Sequence, residues 1–376
     1  MRKITAKPLG CVQNELMLWP VSDRASVVRQ PILNTPKPLT QRPAALIALL
    51  LVVFAALAAA CTPVTNTPAA STPVASSATP ATPDATAAVM TWLRSVTECR
   101  QPPVFTKELD LTASAFFGTN VAGHTGLAIA DPTNNSVLQD DTWDDAGNLG
   151  PYVLDGLGNL WTAPVPLTSL ELNPPDLQNK IYRVDTNTAK MSEYVELAPA
   201  RPPSEFNPFG IVGLAYDCET NSLYATSLMG STPTEQVGRV FRVDLNNNTA
   251  SLVLEGADVM GVGVADTSEG KRLFYGLARS GEVRSLPLDA AGNAAGDSRS
   301  EFNLAALAGG AATDRPQRIT VDADGNLEVK GVDFTYSLRI SGQTVPTIYV
   351  VRLNGETGEW EAVSVEKQPD LREVVP

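Results

Sequence analysis

MGVGVADTSEGKRLFYGLARSGEVRSLPLD, residues 260–289, reads as consecutive hairpins. An apolar run rich in Gly and Val ends at Asp266, a polar turn follows, and a second run carries Phe274 and Tyr275. A third run holds Arg284 and stops at Asp289. Short apolar runs bounded by Asp, Asn and Gly are the sequence form of antiparallel strands joined by tight turns.

The unit recurs outward from that stretch. Its first hairpin has copies in YVLDGLGNLWTA at Asp155, VGLAYDCETNSLYAT at Asp217 and RITVDADGNLEVK at Asp322. Counted from Asp155, the spacings are 62, 49 and 56 residues. A second hairpin follows most copies, around Arg183, Arg242, Arg284 and Arg352. Two hairpins per repeat mean four strands per repeat. The chain is therefore expected to be all-β, a β-propeller of five or six blades, because about 270 residues divide into units of roughly 45–50. An irregular β-sandwich is the alternative of equal strand content. A further copy, TGLAIADPTNNSVL, ends its first strand at Asp131, only 24 residues before Asp155. It is assigned to an incomplete first blade, completed by strands from the other terminus, a closure that removes free sheet edges.

Three segments make up the chain. Residues 1–60 read as a signal peptide with a long basic leader: a net charge of +5 over 1–43 precedes seventeen apolar residues, Ala44 to Ala60. The run ends in Leu57-Ala58-Ala59-Ala60-Cys61. Those residues resemble the bacterial lipobox, in which small residues precede a Cys that is lipidated after cleavage. The expected product is anchored through Cys61 and extracytoplasmic, on a cell membrane or cell surface. An uncleaved membrane span is the alternative, although a span takes ~20 apolar residues. Residues 61–88 hold the lipidated Cys and then almost only Thr, Pro, Ala, Ser and Val, a composition that cannot bury enough surface to order itself and reads as a disordered tether. Residues 89–376 form the propeller domain.

That domain carries a net charge of −17. Nucleic acid is excluded as a partner, since such binding rests on Lys and Arg neutralising phosphates. Of four cysteines, Cys11 lies in the leader and Cys61 at the anchor, leaving Cys99 and Cys218 in the domain. In an exported protein that pair reads as a disulfide, with two buried thiols as the alternative. The domain is expected to be monomeric.

Chemistry is sparse. His124 is the only histidine, so any Ser-His-Asp or Cys-His system must use it, and no GxSxG elbow is present. Asp140, Asp141, Asp144 and Asp145 are dense enough to raise calcium, but the spacing of a calcium loop is missing. Asp322, Asp324 and Asn326 fit a D-G hairpin turn better than a calcium loop. No cofactor is expected, with calcium or another divalent cation as the alternative. Trp143, Trp161 and Tyr216 read as packing between blades.

NPFGIVGLAYDCETNSLYAT and the stretch 260–289 resemble blades of the six-bladed superfamily that includes the gluconolactonase-like hydrolases, the NHL-repeat proteins and the Yellow/royal-jelly proteins. The resemblance implies a metal held at the channel mouth by Glu, Asn and Asp, often with Asn in a Pro-Asn-Gly blade entry. The entries here are Asn207-Pro208-Phe209-Gly210, Val259-Met260-Gly261 and Arg315-Pro316-Gln317, and none keeps that order. With no catalytic set assigned, the candidate ligand-binding residues are His124, Asn207, Phe209, Met260 and Gln317. The expected function is a binding or scaffold module for a small ligand or protein partner. A metal-dependent lactonase-like hydrolase is the alternative.

Overall fold

The structure is a computed structural model that describes residues 5–8, 92–119, 121–167, 170–338 and 345–368. The lipobox Cys61, the apolar run 44–60 and the Thr/Pro-rich tether lie outside the described residues. Among the described residues no helix is long and apolar enough to cross a membrane.

Five antiparallel sheets form a five-bladed β-propeller arrangement. The second sheet is β6 (Leu149–Leu154), β7 (Leu160–Pro164), β8 (Lys180–Val184) and β9 (Met191–Glu196). The third is β10 (Ile211–Asp217), β11 (Ser222–Ser227), β12 (Arg239–Asp244) and β13 (Thr249–Glu255). The fourth is β14 (Val259–Thr267), β15 (Gly270–Leu277), β16 (Glu282–Pro287) and β17 (Arg299–Asn303). The fifth is β18 (Asp314–Val321), β19 (Leu327–Asp333), β20 (Thr347–Leu353) and β21 (Trp360–Lys367). In each of these four, strands pair in chain order, as two successive hairpins require. Three short 3-10 turns are present among the described residues.

The recurring Asp is turn chemistry. One oxygen of Asp155 accepts from the N–H of Leu157 (2.9 Å) and of Asn159 (2.8 Å). Asp322 does the same with Asp324 (2.9 Å) and Asn326 (2.8 Å). An aspartate that bonds backbone two and four residues on holds the chain in a hairpin bend.

The first strands β6, β10, β14 and β18 lie side by side around the channel. Two glycines allow this. A Cβ on Gly213 would strike the Met260 carbonyl of the next strand, and one on Gly261 would sit 2.7 Å from the Pro316 carbonyl. Between the sheets, apolar side chains interdigitate. Leu149, Leu160 and Met191 meet Leu127 and Ile129 between the first two sheets. Trp161 and Ile181 meet Leu223 and Phe241 between the second and third. Tyr224 and Val240 meet Leu273 and Leu286 between the third and fourth. Phe274 and Val283 meet Val329 and Tyr349 between the fourth and fifth. Among the described residues no such buried cluster joins the fifth sheet to the first.

The first sheet corrects the expected closure. It contains β3 (Phe116–Gly118), β4 (Ala128–Asp131) and β5 (Ser136–Gln139), and its fourth strand is β1, Thr5–Pro8. The added strand comes from the leader, whereas the C-terminal strands complete the fifth sheet. β3 is the channel-side strand, since the Thr119 hydroxyl just beyond it donates to the Gly150 carbonyl on β6 (3.2 Å). The Asp131 hairpin thus holds the second and third places in its sheet.

A single crossing segment links all five sheets at the Asp end of the inner strands. β2 (Leu93–Ser95) pairs with β14 at Ala265–Thr267, while Leu93 packs into the cluster between the fourth and fifth sheets. The Cys218 N–H donates to the Val96 carbonyl (3.1 Å), and Cys99 is disulfide-bonded to Cys218. Gln101 N–H then donates to Asp155 and Phe105 N–H to Thr186, both in the second sheet's turns. Finally Thr112 N–H donates to Asp131 of the first sheet (2.8 Å).

Candidate functional site

At the end of the channel opposite the crossing segment lies a cavity of about 280 Å³. Phe209, Met260 and Gln317 line it, all three from blade entries. Phe209 stands just ahead of β10, and Met260 and Gln317 lie in the first residues of β14 and β18, so the ring brings them to one mouth. Phe209 and Met260 are buried and pack with Phe334 from the loop after β19. The Phe209 and Phe334 rings are 5.4 Å apart.

The other two candidate residues lie elsewhere. The Asn207 side chain is buried, its amide donating to the Leu228 carbonyl (2.7 Å) and its oxygen accepting from Phe209 N–H (3.0 Å). It clamps the turn that presents Phe209 and does not line the cavity. His124 lies in the loop between β3 and β4, with Nδ1 3.1 Å from Gln139 Oε1 on β5. It precedes β4, which is one strand removed from the channel.

Asp258 is the centre of a hub of loop residues beside Phe334. It is fully buried and accepts from Ser231, Tyr336, the Gly238 N–H (3.0 Å) and Arg279 Nη2 (3.0 Å). The Arg279 guanidinium also lies 5.1 Å from the Tyr336 ring centre. Burial, and then the bond to the Asp258 carboxylate, push the Tyr336 phenol far above its ordinary value. This hub joins the loops after β11, β15 and β19, and it fixes the segment that carries Phe334.

Arg318 and Lys330 also line the cavity, and nothing in the repeats pointed to them. They face each other across β18 and β19. That pairing depends on an irregularity between Pro316 and Arg318, which shifts register. Arg318 further lines a narrower cavity of about 30 Å³ toward the crossing segment, together with Arg100. Burial, and then the Arg318 charge, lower both the Lys330 ammonium and the Arg100 guanidinium below their ordinary values.

Among the described residues no group of three His, Cys, Asp or Glu is placed to hold a metal ion. In the acidic loop, Asp140 accepts from Lys190 Nζ (2.7 and 2.8 Å) and from the Thr142 backbone and hydroxyl. Trp143 beside it is buried, its indole donating to the Ala189 carbonyl.

No family model and no curated protein matches this chain. Among solved structures it is similar to a chain of the nidogen/laminin complex, at 11% identity and a TM-score of 0.41, covering 69% of this chain and 78% of that one. A protein from Lactobacillus plantarum aligns at 14% identity and a TM-score of 0.39, over 68% of this chain and 67% of its own. A gluconolactonase-like protein aligns at 14% identity and a TM-score of 0.36, over 74% of this chain and 99% of its own.

Proposed function

We propose that this protein is a membrane-anchored, extracytoplasmic binding module that takes a small ligand into the larger cavity and does not turn it over. The observation that carries this is the lining. Phe209, Met260, Phe334 and Gln317 meet there with Arg318 and Lys330, and among the described residues no carboxylate or histidine joins them. An apolar concavity with a few convergent polar groups suits recognition. It does not suit a dication, which takes oxygen ligands. The lone histidine lies in the loop between β3 and β4, away from this lining.

Anchoring rests on the sequence Leu57-Ala58-Ala59-Ala60-Cys61. Changing Cys61→Ser and fractionating cells tests it: the variant should lose lipid and membrane retention. A variant cleaved and retained like the wild type refutes the anchor.

For the site, a thermal-shift screen of small neutral and charged compounds should give ligands whose effect is lost in Phe209→Ala and in Met260→Ala. Lactone and phosphoester hydrolysis should stay at background with calcium, magnesium, zinc or manganese. Metal-dependent turnover abolished by substitutions at this mouth would establish the hydrolase in place of the binder.

A further inference from the structure

We propose that the ligand of the larger cavity is a small amphipathic organic anion, its carboxylate or sulfonate held by Arg318 and Lys330 and its apolar body set against Phe209, Met260 and Phe334. The proposal rests on the binding reading above and adds the ligand's chemistry.

The first observation is a reversal of charge. The protein carries 41 acidic and 28 basic side chains, yet among the described residues neither cavity along the channel has an Asp or Glu in its lining. The ionic groups there are Arg318, Lys330 and, at the closed end, Arg100, all cations. A cleft lined by one sign of charge raises the local concentration of the opposite one.

The second observation is that these cations repel one another without compensation. Arg318 and Lys330 are direct cross-strand partners, a position in which like charges destabilise a sheet. Lys330 is half-buried and Arg318 is exposed, whereas the half-buried cations Lys271 and Arg279 are paired with carboxylates. Lys271 has Asp217 at 2.9 Å and Glu219 at 2.8 Å, and Arg279 has Asp258 at 3.0 Å. Among the described residues, none of the ion pairs includes Arg318, Lys330 or Arg100. Burial and the neighbouring Arg318 charge pull Lys330 toward its neutral form. An anion between the two side chains would reverse both penalties. A sheet that keeps two unpaired cations opposite each other gives up stability for a site, as functional sites commonly do.

The third observation is size and polarity. A cavity of about 280 Å³ holds on the order of nine waters' volume, at roughly 30 Å³ each. That admits a monocyclic acid. The cations come from β18 and β19, while the buried ring of Phe209 and the Met260 side chain supply an apolar wall from the third and fourth sheets. A ligand spanning the two needs one charged end and one apolar end.

Titration calorimetry on the full-length chain in neutral detergent tests this, with phenylacetate, benzoate and benzenesulfonate as probes. Inorganic phosphate and the neutral 2-phenylethanol serve as controls. At least one organic anion should bind once per chain, tenfold or more tighter than either control. Arg318→Gln and Lys330→Met should each weaken it at least tenfold. Lys330→Met should also raise the melting temperature of the unliganded protein, which a merely damaged site would not do. The proposal is overturned if 2-phenylethanol or phosphate matches the organic anions. Absence of saturable binding by all three anions overturns it too, as does full affinity in Arg318→Gln. Neutral compounds that bind and are lost in Phe209→Ala would overturn the anion alone and leave the binding site standing. A ligand indifferent to Phe209→Ala and Met260→Ala would remove the site itself.

Discussion

Cys99 is bonded to Cys218, and that bond fastens the segment crossing beneath all five sheets to the turn that Asp217 begins. The two cysteines are 119 residues apart in sequence. The ring has no buried cluster between its fifth and first sheets among the described residues, so the crossing segment is the visible tie across that gap.

Loss of the bond should therefore be costly. Closing a loop of this length removes about 4–5 kcal/mol of unfolded-state entropy in the chain-entropy model. Replacing both cysteines by Ser should lower the unfolding free energy by up to about that amount, read as a shift in denaturant midpoint. Reductant should produce the same shift in the wild type and none in the variant.

Asp258 should be the most sensitive single residue in the hub beside Phe334. Its carboxylate is fully buried and binds Arg279, Tyr336, Ser231 and the Gly238 N–H. Removing one partner of a buried charge pair leaves the other uncompensated, at a cost of about 3–5 kcal/mol. Asp258→Ala should lose that much in chemical denaturation and also weaken ligand binding, because Tyr336 is two residues from Phe334. A loss under about 1 kcal/mol, the worth of an exposed pair, would show that the hub carries little.

The sequence made the strands visible because an Asp at the strand end organises its own turn at Asp155, Asp217 and Asp322, a purely local device. At Asp266 the turn is held by Thr267. Phe209, Met260 and Gln317 were legible because each stands at the start of an inner strand or just ahead of it. Arg318 and Lys330 were not. Their meeting depends on the register of β18 against β19 after an irregularity at Pro316, which no local spacing encodes. Asn207 misled because an amide that clamps its own turn looks, in sequence, like one offered to a ligand. His124 misled because the Asp131 hairpin imitates the inner hairpins while lying one strand farther out. The source of β1 in the leader is a long-range pairing with no signature in Thr5–Pro8.

Lys330 should give stability a distinctive pH dependence. Its folded pKa lies below the ordinary 10.5, through burial first and the Arg318 charge second. Between the folded value and 10.5 the unfolded chain binds more protons than the folded one, so this group's contribution to stability rises with pH. Its penalty is full below the folded value and gone above 10.5. Lys330→Met abolishes the penalty at every pH. The difference in melting temperature, variant minus wild type, should be positive at pH 7 and shrink toward zero as pH approaches 10.5. A difference that is flat with pH, or that grows, contradicts a depressed lysine. Bound organic anion should shrink it as well, by compensating the Lys330 charge.

The pairing of Thr5–Pro8 with Ser136–Gln139 sets the leader against the lipobox, and truncation decides between them. Cleavage before Cys61 would remove β1 and leave β5 as an uncovered edge of the first sheet. The strand is short, sits at the outer edge and ends in Pro8, which has no N–H to give the ladder. Its removal exposes a few backbone groups to water, which can satisfy them, and leaves the channel-side strand β3 and its bond to Gly150 in place. A chain beginning at residue 61 should therefore keep its strand signal in circular dichroism and melt within a few degrees of the full-length protein, with faster amide exchange confined to Ser136–Gln139 and its neighbours. That outcome makes β1 dispensable and is what a processed, lipid-anchored protein requires. If the truncated chain unfolds, or loses protection in the second sheet as well, the leader is a structural part of the propeller, and removal at Cys61 cannot yield the working protein.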